Sequence, residues 1–417
     1  MTANGPGNGR ASSATLVALL SAAIFSGVEW RSVRGQPTQS LTADLSIQVN
    51  DFGLRLLRRL TDGGGANVVV SPLSVALALA MTYNGAAGGT RNAIAKTLGA
   101  LSLSDTDFNR SNRLLLDTIQ KADPAVQIEI ANALWTQSGL SIDSEFVKLS
   151  HDYFDASTES LNFEGDPGKA ADVINGWVKG KTHGKIPEII RHPSRSTVLV
   201  ITDAVYFKGR WSVPFDKKKT EPRIFHLQMG GSVTTPMMSR NGKYDYSETN
   251  SFQVVRLPYG NDPLVMYIFL PRKNAGLPDF LRSLDESHWR QWTGKLADRK
   301  GKIVLPAFES TYSQRLNDAL KAMGMSVAFG PKADFSRLRP PPPPLRIDDV
   351  EHKTYVKVDE EGTEAAAATS VGIVAMAVMA SPSPFEMVVD HPFFCAIAEQ
   401  QSGALLFAGV VTDPAQR

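Results

Sequence analysis

Residues 360–370 read EEGTEAAAATS, a tract of very small side chains near the end of a 417-residue chain. Four alanines in succession favour a helix. The flanking runs favour strands instead, because Tyr355–Val358 is aromatic and β-branched and residues 371–380 are almost entirely apolar. A helix-forming tract between two strand-like runs therefore has to be explained by what the rest of the chain does.

Composition limits the classes of partner. Apolar residues make up 42% of the chain and charged residues 21%, as in ordinary soluble globular proteins. The 44 basic and 42 acidic residues leave a net charge of +2, so overall charge gives no reason to expect binding to nucleic acid or to a membrane surface. The single cysteine, Cys395, excludes an internal disulfide and is typical of a small buried hydrophobe.

The N-terminal region predicts export. Residues 14–25 (ATLVALLSAAIF) form an uncharged apolar run after Arg10 that is too short to span a bilayer and suits the core of a signal peptide. A disordered leader is the alternative. Residues 1–40 are accordingly assigned to a leader and linker, and residues 41–417 to the folded domain.

Helical patterns dominate the first half of the chain and strand patterns the second. Asp44–Leu60 has helical spacing, Ser71 and Pro72 are suited to the start of a helix, and Thr90 is expected to cap the next one. Predicted strands include Val68–Val70, Gln127–Leu134, Ile303–Phe308 and a final hairpin of Phe393–Glu399 with Ala404–Val411. Ala171–Lys181 and Ser313–Met323 are predicted helices, and the apolar Thr197–Phe207 is predicted to be a strand covered on both faces. Without βαβ alternation, this order predicts an α+β fold.

Motifs for catalysis are missing from the sequence. The nearest approach to G-x-S-x-G, residues 324–328, lacks the second glycine and follows a predicted helix. The sequence contains no H-E-x-x-H or C-x-x-C, its seven histidines show no ligand spacing, and no phosphate-binding glycine loop is present. We therefore expect no enzyme activity, no metal site and no cofactor, with a hydrolase of unrecognised site as the alternative.

The chain resembles the serpins, the serine protease inhibitor family, from about Leu41 to Pro414. The resemblance lies in short blocks that follow the family's order: NVVVSPLSVALALAMTYNGAAGGT, ANALWTQ, INGWVKGKTHGKI, LVITDAVYFKGRWSVPF, MMSRNGKYDY, RLPY, KIVLPAF, GMSVAFGPKADFS, VEHKTYVKVDEEGTEAAAAT, HPFF and LLFAGVVTDP. It implies one domain of three β-sheets and about nine helices, although the length alone would suggest two domains.

The resemblance also explains the opening tract as part of an exposed reactive-centre loop, residues 360–384. A protease cleaves this loop, and the freed segment inserts as an extra strand into the main sheet. Small side chains allow that entry, and the alternate set Thr363, Ala365, Ala367, Thr369, Val371 and Ile373 carries no charge. The implied hinge consists of Glu360, Glu361, Gly362, Thr363, Glu364, Ala365, Ala366, Ala367, Ala368 and Thr369.

The implied cleavage site is the Met376–Ala377 bond, because the cleaved bond in inhibitory serpins follows the residue 14 places after the hinge glycine, here Gly362. An unbranched apolar residue after small apolar ones suits elastase-, subtilisin- or chymotrypsin-like pockets and does not suit a trypsin-like pocket. The stretch from Met376 to Pro392 is longer than in many family members. The residues Ala375, Val378 and Met379 are therefore alternatives.

A polar cluster beneath the central sheet is also implied, at Ser71, Ser74, Asp203 and His352. Family members usually have asparagine where this chain has Asp203, and an ionised aspartate only accepts hydrogen bonds. Because histidine changes charge near neutral pH, we hypothesise that an Asp203–His352 pair makes loop insertion pH-sensitive. A static buried hydrogen bond is the alternative. Trp211 matches a tryptophan near the point where the loop enters the sheet, and core packing is the competing interpretation.

The sequence thus predicts a monomeric inhibitor that traps a serine protease in a covalent complex, with a cysteine protease as an alternative target. No nucleic acid, membrane or cofactor is expected. The chain is predicted to be secreted to the extracellular space, or to the periplasm in a Gram-negative source. A non-inhibitory serpin acting as a carrier or chaperone is the alternative, disfavoured because such members usually lose the small-residue hinge.

Overall fold

The structure is a computed structural model that describes Met1 and residues 37–101, 103–273, 276–342, 344–363 and 383–416. The α-helices within these residues are α1 (Pro37–Thr61), α2 (Pro72–Gly85), α3 (Gly88–Leu98), α4 (Asp105–Gln120), α5 (Ser144–Phe154), α6 (Pro167–Lys181), α7 (Gly276–Ser283), α8 (Glu286–Thr293) and α9 (Asn317–Leu320). Short 3-10 helices occupy Lys217–Lys219 and Ser326–Phe329, and a π-helical turn occupies Lys321–Met325.

The strands of the described residues form two hydrogen-bonded networks. The larger network has the order β1-β15-β14-β8-β7-β6-β9-β13, with β5 paired to β6. The smaller has the order β10-β11-β4-β2-β3, with β12 paired to β4. The bounds are β1 (Val68–Val70), β2 (Val126–Gln137), β3 (Ser157–Leu161), β4 (Leu199–Arg210), β5 (Glu221–His226), β6 (Ser232–Glu248), β7 (Phe252–Tyr259), β8 (Leu264–Pro271), β9 (Ala297–Pro306), β10 (Phe308–Arg315), β11 (Asp349–Val358), β12 (Gly362–Thr363), β13 (Phe385–Val388), β14 (Phe393–Glu399) and β15 (Leu405–Val411).

The number of sheets depends on how the long strand β6 is treated. The resemblance implies three sheets, whereas hydrogen bonding joins two of them into the nine-strand network. Strand β6 has 17 residues: Ser232–Met237 pair with β5, Met237–Tyr246 pair with β9, and Asp245–Glu248 pair with β7. Since one unbroken strand belongs to both parts, its backbone hydrogen bonds link them.

Strand β4 lies in the middle of the smaller network and is buried on both faces. Leu199, Ile201, Val205 and Phe207 point into the main core with helix α2, and Val200, Ala204 and Tyr206 point into a second core under helix α6. This confirms the predicted strand covered on both sides, because alternate residues of a strand face opposite ways. Any segment that joins β4 edge to edge therefore has to fit between two packed layers.

One predicted helix begins too early. The Ser313–Met323 pattern predicted a helix, but strand β10 continues through Arg315, and helical structure starts only with α9 at Asn317 and continues in the π-helical turn Lys321–Met325. Strand β10 pairs along its length with β11, from Phe308↔Val358 to Arg315↔Glu351. These long-range backbone hydrogen bonds override the local helical spacing of the polar residues.

In the described part of the chain, none of the helices combines the length and the apolar character needed to cross a membrane.

Candidate functional site

The small-residue tract begins where two central strands part. Strand β11 runs parallel to β4 from Asp349↔Val200 to Tyr355↔Tyr206. Beyond that pair, β4 takes a new partner, because Gly362 and Thr363 of β12 pair antiparallel with Arg210 and Gly209. Strand β2 already occupies the other edge of β4. Strand β12 therefore lies on the edge that faces β11, in the gap between the two strands.

Gly362 is required by this geometry. Its φ angle is +146°, a backbone conformation that residues with a side chain rarely adopt. A Cβ atom at this position would lie 2.1 Å from the carbonyl oxygen of Gly209 and 2.6 Å from the Cα of Arg210. Both clashes are with backbone atoms, which cannot rotate away, so only glycine lets the chain enter the gap here.

The turn before β12, residues 359–361, is held by the segment that follows β4. The backbone N–H of Trp211 donates to the carbonyl of Glu361 (3.0 Å), and that of Phe215 donates to the carbonyl of Glu360 (2.8 Å). The ammonium of Lys217 forms an ion pair with the Glu361 carboxylate, and this contact raises the pKa of Lys217. Within the turn, the Asp359 carboxylate accepts from the backbone N–H groups of Glu361 and Gly362. The start of the tract is thus fixed by bonds on both sides.

An aromatic pair, Trp211 and Tyr259, lies next to Thr363, the second residue of β12. The rings of Trp211 and Tyr259 stack with centroids 4.4 Å apart, and the Trp211 indole N–H donates to the carbonyl of Asp359 (2.9 Å). The hydroxyls of Tyr259 and Thr363 lie 2.9 Å apart, and both side chains are fully buried. Burial raises the pKa of Tyr259, which keeps its hydroxyl neutral. The side chain of Thr363 is therefore directed toward the main core.

A buried polar cluster lies further along β4. The Ser74 hydroxyl donates to Asp203 Oδ1 (2.8 Å), and His352 Nδ1 lies 3.1 Å from the same oxygen. Asp203 and His352 are directly opposite each other on β4 and β11. Ser71 caps helix α2, where its side chain accepts from the N–H of Ser74, and its own N–H donates to His352 Nε2 (3.2 Å). The cluster thus joins helix α2 to β4 and β11 at the middle of the stretch over which these two strands pair.

Hydrogen bonding fixes the tautomer of His352. Because Nε2 accepts the N–H of Ser71, the ring proton of the neutral imidazole sits on Nδ1 and is donated to Asp203. The second carboxylate oxygen, Asp203 Oδ2, is buried and has no hydrogen-bond partner among the described residues. A buried carboxylate oxygen without a hydrogen-bond donor destabilises the folded state, and a segment that brings a donor to it would remove this cost.

A row of charged side chains lies on the other face of β11. Asp349, Glu351 and Lys353 alternate along the strand and line a cavity of about 480 Å³ beneath residues 188–192. Burial, reinforced by the nearby Asp349 carboxylate, raises the pKa of Glu351 to about 7. The Lys353 ammonium donates to the carbonyl of Glu188 (2.6 Å), and Arg315 forms an ion pair with Asp349 (3.2 Å). The Lys353–Glu188 hydrogen bond thus links residues 188–192 to strand β11.

Comparison with known proteins identifies the family. The model of the serpin family, described as serine protease inhibitor, matches residues 47–414. The chain belongs to the serpins. A serpin-like protein of Thermococcus kodakarensis is 35% identical over 366 residues, which is 88% of this chain and 85% of the relative.

Solved serpins share the fold. The mouse protein-Z dependent protease inhibitor superposes with a TM-score of 0.81 at 27% identity, covering 91% of this chain and 99% of its own. Human thyroxine-binding globulin gives 0.81 at 25% identity, covering 90% and 100%. The predicted α+β serpin fold is therefore confirmed. Serpins are mainly protease inhibitors rather than hydrolases, although these two neighbours differ in what their names say they do.

The predicted serpin residues fall into two groups along β4. Ser71, Ser74, Asp203 and His352 come together in one cluster. Trp211 belongs instead to the hinge, with Glu360, Glu361, Gly362 and Thr363. Within the predicted leader, residues 2–36 lie outside the described residues, and residues 37–40 form the start of α1. The remaining predicted residues also lie outside the described residues: Glu364, Ala365, Ala366, Ala367, Ala368, Thr369, the Met376–Ala377 bond and the alternative positions Ala375, Val378 and Met379.

Sequence reasoning missed several partners of these groups. Asn132, on β2, donates to the carbonyl of Ser74 (3.3 Å) and extends the cluster to a third strand. Tyr259 and Phe215 lie in quoted blocks of the resemblance but had no predicted role. No local pattern marks them, because each acts through a contact with a residue distant in sequence. In the described part of the chain, no three histidine, cysteine, aspartate or glutamate side chains are placed to hold a metal ion.

Proposed function

We propose that this serpin inhibits a serine protease by a suicide-substrate mechanism. The serine of the protease attacks the carbonyl carbon of Met376, the Met376–Ala377 peptide bond breaks, and the new amino group at Ala377 leaves. An ester now joins the protease to Met376. The freed segment then inserts between β4 and β11 and carries the protease with it, before water can hydrolyse the ester. This chain supplies the bait and the inserting strand, and the protease supplies the nucleophile.

The observation that carries the proposal is the position of β12. Gly362 and Thr363 already pair with β4 in the gap that β11 leaves. Entry of the loop thus needs no new starting point, because each further residue can extend a ladder that has begun.

Extending the register supports the choice of inward-facing residues. If the pairing of Gly362 with Arg210 and of Thr363 with Gly209 continues, Ala365, Ala367, Val371 and Ile373 come opposite Phe207, Val205, Ile201 and Leu199. Residues directly opposite on an antiparallel pair share a face, and those β4 residues face the main core. The uncharged set would enter the core, and Glu364 would come opposite Lys208 on the other face.

The same register brings Thr369 opposite Asp203. A threonine hydroxyl there could donate to Asp203 Oδ2, the buried oxygen without a partner among the described residues. Insertion would thus give Asp203 Oδ2 a hydrogen-bond donor that none of the described residues provides.

The free energy available suits the task. Thr363 to Met376 is 14 residues, or about 45 Å of strand. A dozen or so new ladder hydrogen bonds, at a net 0.5–1.5 kcal/mol each, stabilise the cleaved form by on the order of 10 kcal/mol. That is comparable with the whole stability of a typical domain and is enough to distort a small active site.

Pancreatic elastase, chymotrypsin, subtilisin and trypsin, each incubated with the protein, test the proposal. Denaturing gels and intact mass should reveal a complex that survives denaturation with one of the first three enzymes. They should also reveal release of a peptide beginning at Ala377. A cysteine protease such as papain tests the alternative target class. Clean loop cleavage by all of these enzymes without any complex would contradict the inhibitory mechanism.

A non-inhibitory carrier is the second candidate, favoured by the structural likeness to thyroxine-binding globulin. It predicts loop cleavage without covalent trapping and a bound small molecule. The retained hinge, Gly362, Thr363 and the four alanines, favours the inhibitor. Equilibrium dialysis with thyroxine alongside the protease panel separates the two functions.

A further inference from the structure

Charge is unevenly distributed along this chain. The whole sequence has a formal net charge of +2. Residues 208–223 alone contain six basic and two acidic side chains, a net charge of +4. We call this stretch the basic segment. It runs from the end of β4 through the short helix Lys217–Lys219 into the edge strand β5.

Four cations of the basic segment have no ion-pair partner among the described residues. Lys217 pairs with Glu361, and Arg223 pairs with Glu221 at 3.2 Å. Within the part of the chain that the structure describes, no carboxylate lies within ion-pair distance of Lys208, Arg210, Lys218 or Lys219. The last three of these are exposed. Asp216 is already counted in the net charge of +4, and the three acidic residues of the adjoining turn, Asp359–Glu361, lower the combined charge to +1. Among the described residues, none of these carboxylates forms an ion pair with the four cations.

Exposed apolar side chains accompany the free cations. Val213 is 58% exposed and Ile224 is 57% exposed, at either side of the three lysines. Binding of an extended polyanion to a protein is driven chiefly by charge attraction and the release of counterions. Apolar side chains next to cations add to the binding free energy when they are buried against a protein surface, because the core of such an interface excludes water. The mixture therefore fits a folded protein better than a polyanion.

The basic segment is fixed beside the start of the loop. Its backbone holds the turn at Glu360 and Glu361 through the N–H groups of Phe215 and Trp211. Arg210 is paired directly with Gly362. At the other end of the loop, Arg299 donates to the carbonyl of Ser383. A protease that attacks residues between Thr363 and Ser383 therefore acts on a loop whose first described residues contact the basic segment.

We infer that the basic segment is a docking surface for an acidic patch beside the active-site cleft of the target protease. This inference rests on the proposed inhibitory function. Attraction between the patches accelerates encounter and orients the protease over the loop before cleavage. The target would thus be selected twice, by its pocket for Met376 and by the charge around that pocket.

The test is the association rate constant of the double variant Lys218→Glu/Lys219→Glu with the protease that forms a covalent complex in the panel. In about 50 mM NaCl we expect a fall of about tenfold or more. The difference should narrow in about 500 mM NaCl, because salt screens exposed charges. The thermal midpoint and the number of inhibitor molecules consumed per protease should stay the same, since neither lysine side chain bonds to the described hinge residues Glu360–Thr363.

The matched control is Lys96→Glu/Lys332→Glu, the same charge change at exposed positions on α3 and the loop beside it. It should leave the rate constant within about twofold. Equal rates for the two double variants at low salt would overturn the inference. So would loss of retention on immobilised heparin by Lys218→Glu/Lys219→Glu with an unchanged protease rate, which would assign the surface to a polyanion. Absence of any covalent complex contradicts the proposed function itself, and the docking surface with it.

Discussion

The hydroxyls of Tyr259 and Thr363 lie 2.9 Å apart in the core, although the two residues are 104 positions apart in the sequence. Tyr259 also stacks on Trp211, whose indole N–H holds the turn before Thr363. The first inward residue of the loop is therefore already part of the interior. The first three predictions below depend on that partly entered strand or on the Asp203–His352 cluster further along β4, and the fourth concerns the charged row on the other face of β11.

Arginine in the inserting strand should turn the inhibitor into a substrate. Thr363→Arg would bring a charged side chain to a fully buried position. We expect the loop to be cleaved as before, with the yield of covalent complex lowered at least tenfold, as measured by densitometry of denaturing gels. Because Thr363 is buried before cleavage, Ala367→Arg is the second variant, deeper in the loop. Thr363→Ser keeps the hydroxyl and serves as the control. Undiminished trapping by both arginine variants would contradict insertion.

Gly362→Ala should expel β12 from the gap. The Cβ would meet backbone atoms of Gly209 and Arg210, and the φ angle of +146° would be strained as well. We expect a loss of about 1–3 kcal/mol in the free energy of unfolding and faster hydrogen exchange at residues 209–211. Gly180→Ala, on α6 where a Cβ meets nothing within 4 Å, is the matched control. It should be neutral or slightly stabilising. Unchanged exchange at 209–211 in Gly362→Ala would show that β12 does not depend on this glycine.

The hypothesis that the Asp203–His352 pair makes loop insertion pH-sensitive stays a prediction from the sequence. The structure places His352 Nδ1 3.1 Å from Asp203 Oδ1, and His352 Nε2 accepts the N–H of Ser71. The rate of trapping, followed from pH 8 to pH 6 in the wild type and in Asp203→Asn, tests the hypothesis. We expect a pH dependence in the wild type that the asparagine variant lacks. A flat wild-type profile would leave the pair as a static hydrogen bond.

Glu351 should make the native state less stable as the pH rises. Burial raises its pKa from 4.5 to about 7, so between these values the folded state binds more protons than the unfolded chain. Stability from this group is complete below about pH 4.5 and is lost as the pH rises through about 7. Glu351→Gln should therefore be more stable than the wild type by about 1–3 kcal/mol at pH 8, and the two proteins should converge near pH 4.5.

Urea denaturation at both pH values measures this difference, with Glu159→Gln, on the exposed edge strand β3, as the control. Asp349, Arg315 and Lys353 remain in place in the Glu351 variant, so the change isolates one carboxylate. A stability difference of the same size at pH 8 and pH 4.5 would argue against a raised pKa.

Local chemistry predicted the parts of the fold that depend on local bonds. Ser71 was expected to cap a helix beginning at Pro72, and its side chain does accept the N–H of Ser74. The apolar strand at Thr197–Phe207 and the final hairpin were also confirmed, because burial on both faces leaves a direct mark on composition. Thr90 was wrong as a cap, since α3 begins at Gly88. Its hydroxyl accepts the N–H of Asp334 instead, a partner 244 positions away.

The site was predictable only as far as family resemblance reaches. The family resemblance implied roles for Asp203 and His352. It did not indicate that Asp203 Oδ2 has no hydrogen-bond partner among the described residues, or that Asn132 on β2 is part of the cluster. The alternation of small and charged side chains in the tract suggested that Thr363 faces inward. Only the pairing of β12 with β4 shows which β4 residue lies opposite each residue of the tract. The basic segment is visible as three lysines in sequence, but its place beside the hinge comes from hydrogen bonds between distant residues.

Thermal unfolding of the protein before and after specific cleavage of the loop tests strand insertion most directly. Cleavage at Met376–Ala377 should raise the unfolding midpoint by tens of degrees, because on the order of 10 kcal/mol of new strand pairing forms beside β4. Cleaved Ala367→Arg should lack the increase. An unchanged or lowered midpoint in the cleaved wild type would contradict the account, since the segment would then have stayed outside the sheet.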